Sequence, residues 1–428
     1  MFRVAMIAFR SGFGKAAALC VFAMAASAGL DAADARQPRP NVILVLADDI
    51  GISGIGCYGS DSFETPHIDQ LAADGLRFNS GFSQPICGPS RITLMTGRYP
   101  FRTGGTANAS SEKVDPAKET PFPRLLRQAG YATFATGKWP WLGHMEKADA
   151  WGFDEMLTWR SYNTPDRYWN PNLFHNGEKK SFPGKYGPDV MQDAIFDFID
   201  RVRAKTPDRP FFVYYPSPLP HLPFVHTPDS ESADITPREK YRDMVLYMDK
   251  QIGDMRRRLE ERGLAKGTLL IFAGDNGSLG SHREVIDGKV VDGGKGDIAE
   301  GGVRVPWICC WPAAIKPGRV TDELVDLSDV FPTLLELTGA EKPRDLQLDG
   351  ASFAPLLLGK EHHGREWVFY QHAKSYAVRE RSWKLDHTGR LFDMRKAPHV
   401  ETSVDFTESD AAQAAYKRLK AVFKTLDP

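Results

Sequence analysis

The chain has 428 residues, 42% apolar and 25% charged, ordinary proportions for a globular protein with room for one large α/β unit or a few domains. Its 54 Lys and Arg nearly cancel 55 Asp and Glu, for a net charge of −1, so it lacks the basic excess that nucleic-acid binding requires. Five cysteines over this length exclude a disulfide-stapled scaffold.

The N-terminus stands apart. Arg3, Arg10 and Lys15 precede an apolar run over residues 16–28 that ends in Ala26-Ser27-Ala28. A basic head, a short apolar stretch and a small-residue exit are expected to be a cleaved secretion signal over residues 1–28, giving a periplasmic or secreted protein. The thirteen-residue run is too short for a bilayer, which needs about 20 residues. Leu19 before Cys20 is too bulky for a lipoprotein signal. No later segment is apolar for long enough to span, so no membrane association is expected after cleavage.

Residues 41–46 (NVILVL) are a solid apolar run followed by Asp48-Asp49, the pattern of a buried parallel strand that delivers its C-terminal end to a site. Residues 68–78 have helical spacing with a glycine stop, 122–129 form a second helix ended by Gly130, and 131–136 read as a strand. Residues 151–188 are rich in Trp, Tyr, Asn, Pro and Gly and are expected to form a long surface excursion. There follow an amphipathic helix over 189–205, a strand over 211–215, a proline-rich loop leading to His221, and a long helix over 238–262. A second buried strand over 268–273 is followed by Gly274-Asp275-Asn276-Gly277. Strands alternating with helices predict an α/β fold with a large, mostly parallel sheet covered on both faces. Cys309 and Cys310 lie in an apolar run and, like Cys57, are expected to be small buried hydrophobes. Beyond Pro343, short strands over 367–370, 375–379, 383–386 and 390–393 and a helix over 409–426 predict a small antiparallel sheet with a terminal helix. The expected division is a catalytic part, residues 37–343, and a small C-terminal subdomain, residues 344–428.

Asp48, Asp49, Asp275 and Asn276 sit at two strand ends that can converge. Three carboxylates packed together repel unless a cation joins them, and all-oxygen donors suit a hard divalent ion, Ca²⁺ before Mg²⁺. Taken alone, an Asp pair after a strand fits a helix cap or a turn equally well. The second signal is Cys87-Gly88-Pro89-Ser90-Arg91, with Thr96-Gly97-Arg98 a turn or two further on. A soft thiolate is a poor companion for an oxygen-bound cation. A Cys-dependent phosphatase would need Arg six positions after the Cys, where this chain has Thr93, and the paired Cys/His ligands of a zinc site are missing nearby.

This stretch resembles the type I sulfatase signature, C-x-P-S-R followed by T-G-R, in which the Cys is oxidised to formylglycine. Further blocks match in the expected order: residues 41–60 (NVILVLADDIGISGIGCYGS), 65–78, 130–139, Gly274–Gly277, and 294–306 (GKGDIAEGGVRVP). The resemblance runs from about residue 40 to 340 and continues weakly beyond. It implies an alkaline phosphatase-like sandwich. It further implies a Ca²⁺ site of Asp48, Asp49, residue 87, Asp275 and Asn276, and a maturation enzyme that makes formylglycine. In its hydrate one hydroxyl attacks sulfur and the other later drives sulfate release. Arg91, Lys138 and Lys295 are the implied cations around the sulfate, each worth about 3 kcal/mol in a dry site. His221 is the implied donor to the leaving alcohol. On their own, a lone Lys is ordinarily a solvated surface group, and His221 between prolines fits a rigid loop as well. Glu300 and Arg304 are expected to brace the fold.

One departure stands out. The family reads Gly-Lys-Trp-His, whereas this chain reads Gly137-Lys138-Trp139-Pro140, and a proline can neither give nor take a proton. His144 is the candidate substitute, with a surface imidazole as the plain alternative. Rival readings are a formylglycine-dependent phosphonate or phosphodiester hydrolase, or a carbohydrate-binding relative that has lost catalysis. Trp159, Tyr162, Tyr168 and Trp169 suit stacking on sugar rings or packing within the fold, and a sulfated polysaccharide is the expected substrate over a simple aryl sulfate.

Overall fold

Alternation along one strand explains the architecture. In β1 (Asn41–Ala47), Val42, Leu44 and Leu46 enter one buried apolar cluster, while Ile43, Val45 and Ala47 enter another on the opposite face. A strand apolar on both sides must be covered on both sides, which is why its sequence is continuous rather than alternating. The computed structural model describes residues 39–139, 148–159 and 167–428. The leader of residues 1–28, Pro140, His144 and Tyr162 lie outside the described residues.

The strands after β1 are β2 (Leu76–Phe82), β3 (Ala132–Lys138), β4 (Glu155–Trp159), β5 (Asn172–His175), β6 (Glu178–Ser181), β7 (Phe211–Pro216) and β8 (Thr268–Gly274). A separate hairpin, β9 (Arg283–Ile286) and β10 (Lys289–Asp292), precedes β11 (Trp307–Cys310) and β12 (Arg319–Asp326). Among the described residues the main sheet has ten strands, in the order β12-β2-β11-β8-β1-β7-β3-β4-β5-β6. Its centre is parallel, with β1 paired to β7 and β8 and β3 paired to β7 and β4. Only β11, β5 and β6 run antiparallel to their neighbours. Helices Cys87–Thr96, Phe122–Gln128 and Val330–Thr338 pack on one face; Pro66–Ala73, Gly187–Lys205 and Pro237–Glu261 pack on the other. A second, antiparallel sheet runs β13 (Val368–His372), β14 (Ser375–Arg379), β15 (Trp383–Asp386), β16 (Leu391–Asp393) and β17 (Thr402–Val404), packed by the helix Asp410–Leu426. The mixed, mostly parallel α/β sandwich with a small antiparallel sheet and terminal helix is the expected fold.

Two expectations are corrected. The helix over 68–78 ends at Ala73, and Leu76 opens β2. Gly75 makes that switch, because a Cβ there would lie 2.4 Å from the Cys309 carbonyl oxygen. Residues 151–188 are not mainly a surface excursion: β4 is a buried parallel neighbour of β3, and Trp151, Phe153, Trp159 and Tyr168 are core residues. This removes Trp159 and Tyr168 as exposed sugar platforms. Cys57, Cys309 and Cys310 are unpaired thiols, the last two buried and Cys57 half-buried.

The small sheet is tied to the main one by buried charge. Glu300 accepts from Arg379 of β14 at 2.5 Å and from Arg304 at 3.1 Å. Arg365 joins Asp326, at the end of β12, at 2.7 Å and also bonds Asp329. Breaking such a pair strands an uncompensated buried charge, which costs about 3–5 kcal/mol.

Candidate active site

The parallel centre of the sheet sends β1, β3, β7 and β8 to one rim, where open α/β sheets carry their sites. At the end of β1 the chain turns sharply. Asp49 takes a φ of 66°, a left-handed conformation that a short carboxylate side chain tolerates, and its N–H donates to Asp275 Oδ1 at 3.1 Å. Asp275 N in turn donates to the Ala47 carbonyl at 2.9 Å, which fixes the two acidic strand ends side by side. Asn276 Nδ2 donates to Asp49 Oδ1 at 2.9 Å.

Cys87 opens the ten-residue helix Cys87–Thr96 that follows β2, so the positive end of its dipole faces the same rim. Arg91, four residues on, shares that helix face. Its guanidinium is buried, donates to Asp275 Oδ2 at 2.6 Å and to the Lys138 carbonyl at 3.1 Å, and lies 3.8 Å from Asp48. Lys138 ends β3. Gly137 before it has a φ of 124°, and a Cβ there would lie 2.1 Å from the Pro216 carbonyl, so only glycine lets β3 approach β7 this closely. The Lys138 side chain is 0% exposed, far from the solvated lysine of the plain reading. Its Nζ is 2.6 Å from the Asp48 carboxylate and 3.2 Å from Cys87 Sγ. Cys87 Sγ in turn lies 3.7 Å from Asp48 and 3.9 Å from Asp49. Lys295, in the loop after β10, places Nζ 2.6 Å from Asp49 Oδ2.

His221 follows β7 in a loop pinned to the end of β1 by Asp48 N donating to the Leu219 carbonyl at 3.0 Å. Its Nε2 is 3.7 Å from Asp49 Oδ2. Nδ1 is 2.6 Å from the Leu222 carbonyl, which can only accept, and 3.1 Å from the Arg167 guanidinium, which can only donate, so its two neighbours favour opposite tautomers. Arg167 is a residue that sequence reasoning missed. It is buried, stacked 4.1 Å from the Trp159 ring, and neighbours Tyr168, whose hydroxyl donates to the Pro218 carbonyl at 2.7 Å. Nothing in its neighbourhood of sequence marks it, since its partner His221 is 54 residues away.

All the candidates among the described residues therefore meet: Asp48, Asp49, Cys87, Arg91, Lys138, His221, Lys295, Asp275 and Asn276. Electrostatics differ sharply among them. Burial, reinforced by Asp275, pushes the Cys87 thiol up to about 12, so it is a neutral thiol and a weak nucleophile. Burial and then repulsion from Asp48 raise Asp275 to about 6 against the pull of Arg91. Burial works against Asp49 too, but Lys295 and His221 hold its carboxyl well below the usual range. Burial and then the Lys138 charge keep His221 well below the usual imidazole range, hence neutral.

The donor set fits a hard cation. Ligand atoms of Asp48, Asp49, Cys87 and His221 lie within 4.8 Å of one another. Asn276 Oδ1 is a buried oxygen that accepts no hydrogen bond among the described residues, and the Asp48 carboxylate has the Lys138 ammonium, 2.6 Å from Oδ2, as its counter-charge. Buried acceptors left over in this way, beside lysines drawn onto two carboxylates, are what a divalent ion satisfies. An oxygen at position 87 would complete the set better than sulfur.

The sheet order and this rim of charged groups fit a hydrolase of the alkaline phosphatase-like superfamily. A family profile described as Sulfatase matches residues 40–340, and one described as N-sulphoglucosamine sulphohydrolase, C-terminal, matches residues 295–425. Arylsulfatase A of Homo sapiens is 34% identical over 89% of this chain and 80% of its own length. N-acetylgalactosamine-6-sulfatase of Canis lupus familiaris is 33% identical over 81% of this chain and 71% of its own. The crystal structure of Ps i-CgsB in complex with k-i-k-neocarrahexaose superposes with a TM-score of 0.76 at 27% identity, covering 90% of this chain and 92% of that one. The chain belongs to the sulfatase family, and it is a sulfate-ester hydrolase. Among the described residues no helix is long and apolar enough to cross a membrane.

Proposed function

We propose that the chain hydrolyses sulfate esters of a sulfated carbohydrate with formylglycine at position 87 and Ca²⁺ held by Asp48, Asp49, Asp275, Asn276 and residue 87. The observation that supports this is geometric: the buried Cys87 side chain sits among the ligand atoms of Asp48 and Asp49, with Lys138 Nζ 3.2 Å from its sulfur and the buried Asn276 Oδ1 unfilled, a setting that suits an oxygen nucleophile beside a hard cation better than a thiol. Formylglycine at position 87 would supply the oxygen nucleophile, and Ca²⁺ held by Asp48, Asp49, Asp275 and Asn276 would supply charge against the sulfate oxygens.

The protein's own groups do the rest. Asp48, Asp49 and Asp275 are matched by Arg91, Lys138 and Lys295, so the protein alone is close to neutral there and a divalent cation leaves a net positive cradle for a monoanionic ester. Lys138 and Lys295 face the oxygens on which charge grows and, being fixed beforehand, need no rearrangement in the transition state. Arg91 holds Asp275 and the end of β3 in place. His221 is assigned the donation to the departing alcohol from Nε2, which as an imidazolium it can make while Nδ1 keeps its bond to the Leu222 carbonyl. Catalysis is assigned to residues 37–343 and support of the rim to residues 344–428. The leader of residues 1–28 supports export, and a formylglycine-generating enzyme is the implied partner.

The test compares kcat/KM on matched sulfate and phosphate monoesters, for the mature protein and for Cys87→Ala. Preference for sulfate and complete loss in the variant, with an unchanged circular dichroism spectrum, are expected. Preference for the phosphate ester, or undiminished turnover by Cys87→Ala, would refute the reading.

A further inference from the structure

Beside the catalytic rim lies a cavity of about 850 Å³ whose wall is aromatic: Phe63, Phe224, Tyr241 and His282. Tyr241 sits at the centre, with ring centroids 4.0 Å from His282, 5.1 Å from Phe224 and 5.7 Å from Phe63. Tyr241 is itself fixed, because its hydroxyl donates to Glu284 Oε1 at 2.8 Å. Arg238 and Arg242, one helical turn apart at the start of Pro237–Glu261, line the same cavity.

The charges around the mouth are not equivalent. Glu284 is bound to Tyr241 and, at 3.2 Å, to Ser278; Glu239 caps its helix by accepting from Thr236 at 2.8 Å; Asp61 accepts from Gly288 N at 2.7 Å. Arg283 pairs with Asp292 at 3.1 Å. Arg238 and Arg242 are exposed and form no ion pair among the described residues, so two guanidiniums face the cavity without a fixed partner.

The cavity shares its frame with the reacting groups. Phe224 comes three residues after His221. Gly293 N donates to the His282 carbonyl at 2.8 Å and Lys295 N to the Ser278 carbonyl at 3.0 Å. Ser278 Oγ accepts from Gly51 N at 3.1 Å, two residues from Asp49. The walls are therefore built on the segments that carry Asp49, His221 and Lys295. His221 is the group assigned to the leaving oxygen, and the loop that carries it enters the cavity wall three residues on, at Phe224.

We propose that this cavity receives the leaving alcohol and selects one that is itself anionic: a sugar ring stacked on the half-buried rings of Phe224 and His282, which the buried Tyr241 holds in place, and carrying a further sulfate or carboxylate that Arg238 and Arg242 bind. The inference rests on the sulfatase reading above and deepens it to a multiply charged oligosaccharide. Flat aromatic faces accept the apolar face of a pyranose, and guanidiniums bind sulfate or carboxylate through paired N–H donors.

The test uses the mature, calcium-loaded protein and Arg238→Ala/Arg242→Ala. Turnover of 4-nitrophenyl sulfate, whose leaving group is small and neutral, is expected to change less than about twofold, since neither arginine reaches the cation cradle. Competitive inhibition of that turnover by carrageenan and heparin hexasaccharides is expected to weaken by about tenfold or more, and to fade at high salt in the wild type. Phe224→Ala should weaken both charged hexasaccharides as well, and a neutral agarose hexasaccharide should inhibit poorly throughout. Equal inhibition by neutral and charged hexasaccharides, or none by either charged one, overturns the proposal, as does unchanged inhibition in the double variant. A wild type that turns over no sulfate ester sinks the sulfatase reading instead. Calorimetric binding of the same hexasaccharides to both proteins then still decides the cavity's role.

Discussion

Replacing Glu300 by Gln tests how the rim is held together. The carboxylate is 1% exposed and serves two arginines, Arg379 at 2.5 Å and Arg304 at 3.1 Å. Glutamine keeps the shape and one acceptor but removes the charge, leaving both guanidiniums buried without it. Loss of one partner from a buried ion pair costs about 3–5 kcal/mol. An unfolding entropy of roughly 2 cal/mol/K per residue over ~390 residues gives ~0.8 kcal/mol/K, so Tm should fall by about 5 °C. The pH dependence has a definite sign. Burial opposes ionisation of Glu300, but Arg379 and Arg304 overcome it and hold its pKa below the ordinary value. A carboxylate depressed in the folded state stabilises above its unfolded pKa of about 4.3, and that stability disappears as pH falls through the folded value. Differential scanning calorimetry from neutral to acid pH should show the wild-type advantage constant at neutrality and closing below about pH 4. A variant as stable as the wild type at pH 7, or an advantage that widens on acidification, refutes the argument.

The cation cradle makes two further predictions. Lys138→Ala removes the ammonium 2.6 Å from Asp48 and 3.2 Å from Cys87 Sγ, and kcat should fall about 100-fold, with a smaller change in KM. A kcat within a few-fold of wild type would mean that Lys138 only braces Asp48. Chelation should abolish turnover, with Ca²⁺ restoring more activity than Mg²⁺ and Zn²⁺ restoring none, because the donors are hard oxygens. Recovery by Zn²⁺ alone would contradict the ligand set.

Much of the fold was legible because the central strands are buried on both faces, and a continuous run such as Val42–Leu46 or Leu269–Ala273 then has few alternatives. The acidic groups were legible for the same reason: they stand where those runs stop. The β4 strand was not, because five residues (EMLTW) amid a Trp-, Tyr- and Pro-rich stretch carry neither a long apolar run nor a period of two. The overrun of the first helix into β2 came from Ile68, Leu71, Ala72 and Leu76 keeping helical spacing across Gly75; the Cys309 carbonyl pressing on that glycine is a tertiary contact that no local pattern records. Arg167 went unnoticed because its setting, between Trp159 and His221, exists only once β4 and the loop after β7 are side by side. The aromatic cavity joins residues 63, 224, 241 and 282, which are far apart in sequence, and no single segment announces it.

The most direct measurement of the central claim is the mass of the peptide containing residue 87, taken from protein co-expressed with a formylglycine-generating enzyme and proven active on a sulfate ester. A residue about 18 Da lighter than cysteine, in proportion to the specific activity of each preparation, is the expected result. Full activity from protein whose residue 87 is still a free thiol would contradict it.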